Sequence, residues 1–71
     1  MRTQKEFQQD VAQYLKIVRK HWEVTKNFDY VIESCDLALN SVQKAFDDGI
    51  IGKAAADDMN LDIALTLNFL G

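Results

Sequence analysis

Apolar residues recur along this chain at steps of three and four, the spacing that lines side chains along one face of an α-helix. The first run is Phe7, Val11, Tyr14, Val18 and Trp22, with Ile17 and Val24 widening it on one flank and Leu15 on the other. Lys5, Lys16, Arg19 and Lys20 fall on the far side. Thr3 followed by Glu6 has the spacing of a capping box, so a helix is expected over 4–25. A second run, from Phe28 through Val31, Ile32, Cys35, Ala38, Leu39, Val42 and Ala45 to Phe46, predicts a helix over 28–47. Gly49 closes it, because glycine accepts the left-handed conformation that helix ends use. A third run, Ile51, Ala55, Met59, Ile63, Leu67 and Leu70, predicts a helix over 51–69. Leu61 and Leu65 lie off that stripe, as expected of a helix gripped from two sides.

Two competing patterns have to be weighed. Leu61, Ile63, Leu65, Leu67 and Phe69 also alternate with Asp62, Ala64, Thr66 and Asn68, which is the period of a strand. A strand there would find no partner earlier in the chain, and leucine and alanine favour helix. In a seven-residue count, Phe7, Tyr14, His21, Phe28, Cys35 and Val42 share one position, and Val11, Val18, Thr25, Ile32, Leu39 and Phe46 share another. A single helix over 4–47 would therefore carry a coiled-coil seam interrupted only by His21 and Thr25. Against it, Thr25, Lys26, Asn27 and Asp29 are good capping material. The expected architecture is all-α, one domain over 1–71 folded as a three-helix antiparallel bundle. The alternative is a long helical hairpin forming a coiled-coil-like dimer.

Size narrows what can stabilise such a bundle. A chain of 71 residues buries only about 60% of the surface its unfolded form exposes. Cys35 is the only cysteine and His21 the only histidine, so neither an internal disulfide nor a Cys/His zinc set can form. Packing and association remain, and a hydrophobic fraction of 48% suits a homo-oligomer, most simply a dimer. No run approaches the roughly 18 apolar residues of a membrane span. With a free thiol and no secretory pattern after Met1, a cytoplasmic location and a whole gene product are expected.

The net charge of −3 hides an asymmetry. Residues 1–26 hold six basic and three acidic side chains, whereas residues 27–71 hold two basic and eight acidic. Such halves are expected to attract one another, within the fold or across a dimer.

Catalytic chemistry finds little to work with. His21 and Cys35 could approach only if the chain turns near Lys26, and a thiol on an apolar stripe is ordinarily inert. Asp47-Asp48-Gly49 resembles part of a calcium loop, but that register puts Lys44, Phe46 and Ala55 at ligand positions. The glycines at 49 and 52 with Lys53 do not make a phosphate loop. A helix-turn-helix placed over 56–67 would have no lysine or arginine after Lys53 to meet DNA. No enzyme, cofactor or metal is expected.

A protein interface is the remaining expectation. Tyr30 and Leu37, seven apart and opposite the apolar stripe of their helix, would be left in water, rimmed by Glu33, Ser34, Ser41 and Lys44. Trp22 is a second anchor, expected to cap the core. The function expected is a non-enzymatic regulator or inhibitor that binds a larger protein, of the kind phages and mobile elements use against a host. The alternatives are a nucleic-acid-associated regulator whose Lys16, Arg19 and Lys20 meet an anionic partner, and a purely structural homo-oligomer.

Overall fold

Three helices, α1 (Gln4–Thr25), α2 (Phe28–Asp47) and α3 (Lys53–Leu70), run in alternating directions, and each packs on both of the others. These features belong to a computed structural model that describes residues 3–70. The three-helix antiparallel bundle expected from periodicity is therefore the fold, and no strand occurs among the described residues.

The helix ends follow from local hydrogen bonding. The Glu6 amide donates to Thr3 Oγ1 at 3.2 Å and Glu6 Oε1 accepts from the Thr3 amide at 3.4 Å, completing the capping box. At the other end of α1, Lys26 adopts a left-handed conformation at φ 55°, and its amide donates to the Trp22 carbonyl at 2.9 Å. Asn27 then caps α2, its Oδ1 accepting from the Tyr30 amide at 3.2 Å. This break rules out the continuous 4–47 helix.

The far end of α2 closes in a Schellman arrangement. Gly49 is left-handed at φ 77°, its amide donates to the Phe46 carbonyl at 3.1 Å, and the Ile50 amide donates to that of Ala45 at 2.9 Å. Helix α3 starts two residues later than its apolar spacing suggests, because Ile51 is spent as a buried plug before the first turn. The Gly52 amide donates to Gln4 Oε1 at 2.8 Å, which levels the start of α3 with the start of α1.

The core is built from small and branched residues: Val11, Leu15 and Val18 of α1, Val31, Cys35, Ala38, Val42 and Ala45 of α2, and Ala55, Ala56, Met59 and Ile63 of α3. Several sequence expectations are corrected by it. Leu15, assigned to a flank, is 1% exposed, whereas Ile17 and Val24 on the opposite flank stand in solvent. Phe28, Ile32, Leu39 and Phe46 lie at the edge of the core, each more than a third exposed. Leu61 and Leu65 are exposed rather than gripped, because both neighbours of α3 lie on the same side of it.

Among the described residues the complementary charges of the two halves do not meet as close pairs. Lys44 pairs with Asp48 at 3.9 Å and Lys53 with Asp57 at 3.3 Å, each over one helical turn within the acidic part. Lys5, Lys16, Arg19 and Lys20 pair with no carboxylate among the described residues.

Candidate protein interface

Of the two side chains weighed for catalysis, His21 is in contact with a second ring and Cys35 is buried. The His21 ring stacks on Tyr30 with centroids 3.8 Å apart. Cys35 lies five residues beyond Tyr30, about 7.5 Å further along α2, and is buried in the core. Burial pushes its thiol pKa up, and the negative charge of Asp36 adds to the effect. Among the described residues no three His, Cys, Asp or Glu side chains gather as a metal ion would require. Among the described residues no helix is long and apolar enough to cross a membrane.

A labelling experiment checks this placement. Cys35 is expected to react with iodoacetamide at least about 100-fold more slowly in the native protein than in denaturing urea, since reaction waits on an opening of the helices. Raising the pH through the ordinary thiol range should raise the native and denatured rates in parallel, because the opened state that reacts presents an exposed thiol. A native rate equal to the denatured one would mean that α2 does not seal the core.

The anticipated interface residues are partly brought together. Leu37 is 61% exposed and lies at the lip of an open groove between α1 and α2, about 430 Å³ in volume, that Phe7, Val11, Tyr14 and Ala38 also line. Glu33 and Lys44 are exposed, and helical spacing places both on the strip of α2 that carries Leu37. Tyr30 departs from expectation: the stack on His21 leaves it only partly exposed. Ser34 departs further and is buried, since it turns into the α1 contact instead of rimming a patch. Trp22 packs on the core edge-to-face with Phe28 at 5.9 Å, under the Lys26 ammonium at 5.3 Å. It therefore belongs to the other side of α2 from Leu37.

A second apolar surface lies on that other side. Phe46 lines the α2/α3 groove with Ala56, Asp57 and Asn60, and Leu39 and Ile32 precede it by seven and fourteen residues on the same face. Phe28 completes the row. Beyond the groove, Leu61 follows Asp57 by one turn and is 58% exposed, whereas Leu65, 52% exposed, faces the α1 side of α3. Phe69 continues this ridge toward α1, where Leu65, Thr66, Asp62 and Arg19 line a further groove. Sequence reasoning counted the α2 row as core. The signal that separates it is the width of the stripe: at 100° per residue, the positions from Ala45 to Ile32 sweep about 140°, more than two neighbouring helices cover.

No protein family, curated protein or solved structure matches this chain.

Proposed function

We propose that this protein is a non-enzymatic interaction module, a small regulator or inhibitor that lays a preformed helical face on a larger protein. One observation carries the reading: Phe28, Ile32, Leu39 and Phe46 form a row on one face of α2, each more than a third exposed, and Leu61 stands exposed on α3 one turn beyond the groove-lining Asp57. Soluble monomers rarely leave contiguous apolar patches of more than a few hundred Å² uncovered, and such patches mark association sites. Helical faces laid against partner grooves are a recurrent mode of recognition. A stacked histidine and a sealed thiol fit a protein whose task is contact.

The test compares wild type with the Leu39→Lys/Leu61→Lys double variant as baits in lysate of the source cell. A protein held by wild type should be lost from the variant, while helical circular dichroism and cooperative unfolding are kept. Wild type that retains nothing beyond a charge-matched control would overturn the reading. A Tyr30→Lys/Leu37→Lys variant examines the α1/α2 groove in the same assay.

A second reading draws on one specific observation: among the described residues Lys5, Lys16, Arg19 and Lys20 make no ion pair, although Asp62 lines a groove with Arg19. Under it, α1 contacts a nucleic acid. Binding should then weaken steeply with added salt and disappear on changing Lys16, Arg19 and Lys20 to glutamate.

A further inference from the structure

We infer, building on the interaction-module reading, that the side formed by α2 and α3 is a cradle for a basic amphipathic helix supplied by a partner protein. The floor is the apolar row of α2, with Leu61 of α3 one turn beyond the groove-lining Asp57. Its rim is acidic. Asp36 and Asp29 precede Gln43 by seven and fourteen residues, and Gln43 lines the α2/α3 groove, so both carboxylates stand along the outer edge of that face. Asp47 holds the same edge, its Oδ1 accepting from Gln43 Nε2 at 2.9 Å. On the α3 side Asp57 lines the groove. The one cation lining that groove, Lys53, is already 3.3 Å from Asp57. A partner must therefore bring apolar side chains in a row and positive charge beside them. From Phe28 to Phe46 the row runs about 27 Å, the length of a helix of about 18 residues.

Charge also decides against a second copy of this chain. Two α2/α3 faces laid together would set one aspartate edge near another, and like charges at a contact are unfavourable. The chain's own basic helix, α1, cannot serve as the guest while folded, because Val11, Leu15 and Val18 are committed to the core. The same carboxylates repel nucleic acid and anionic lipid.

The experiment uses the full chain and two synthetic amphipathic helices of about 18 residues, one of leucine and lysine, one of leucine and glutamate. By fluorescence anisotropy the lysine peptide should bind at least about tenfold more tightly than the glutamate peptide, and less tightly as salt is added. Leu39→Lys/Leu61→Lys should abolish that binding. Asp29→Asn/Asp36→Asn, at exposed positions that leave the core intact, should weaken it by about tenfold, and Leu37→Lys should not change it. If the leucine variant fails to fold, the asparagine variant decides. Equal binding of both peptides, indifference to the asparagine changes, or a wild-type dimer that the leucine variant dissociates would overturn the basic-helix assignment. In each of those cases a lysate protein lost from Leu39→Lys/Leu61→Lys leaves the interaction module standing. If wild type holds neither peptide nor any lysate protein, both fall.

Discussion

Leu15→Ala is expected to lower the stability of this bundle by about 3 kcal/mol, the middle of the range for emptying a buried leucine site. The side chain is 1% exposed and, with Ile63, is among the largest of those fully enclosed, so its removal leaves a cavity in the core. A 71-residue domain carries only about 4–10 kcal/mol of net stability. The variant should therefore lose roughly half of it, visible as an earlier urea midpoint with an unchanged slope in circular dichroism. Leu65→Ala serves as the control, because at 52% exposure it should stay within about 0.5 kcal/mol of wild type. A loss below about 1 kcal/mol at Leu15 would mean that α1 is not docked as described.

The second large effect is expected at Gly49. Its φ of 77° is a conformation that a Cβ makes costly, and a β-branched residue more so. A Cβ added there meets nothing within 4 Å, so the penalty is one of backbone conformation and not of collision. Gly49→Val should cost about 2 kcal/mol and Gly49→Ala about 1 kcal/mol. Gly49→Asn should cost clearly less, since asparagine visits this region with less strain. Equal losses for all three would indicate a steric cause. Lys26 meets the same requirement without glycine, and its side chain rests over the Trp22 ring.

Features governed by neighbours in sequence were legible before folding. Thr3 with Glu6, Asn27 and Gly49 act within one turn of their own positions, and each terminates a helix as its chemistry suggests. What could not be read was the direction from which each helix is covered. Periodicity gives the central angle of an apolar stripe but not how wide an arc its neighbours bury. Phe28, Ile32, Leu39 and Phe46 share a stripe with Val31 and Val42, yet only the latter two are fully enclosed. Tyr30 failed for the reverse reason, since the stack that shelters it depends on His21 arriving from another helix. Leu37 had no such visitor and stands exposed, as its position opposite the stripe suggested.

The turns between the helices bear on time as well as on shape. The link between α1 and α2 consists of Lys26 and Asn27, and that between α2 and α3 runs only from residue 48 to 52. Closing segments this short takes on the order of tens of nanoseconds, and bundles rich in local contacts fold in microseconds to milliseconds. The leucines of α2 and α3 thus spend only a brief interval as part of a loose chain, and the arrangement a partner meets is reached before most encounters with other proteins can occur.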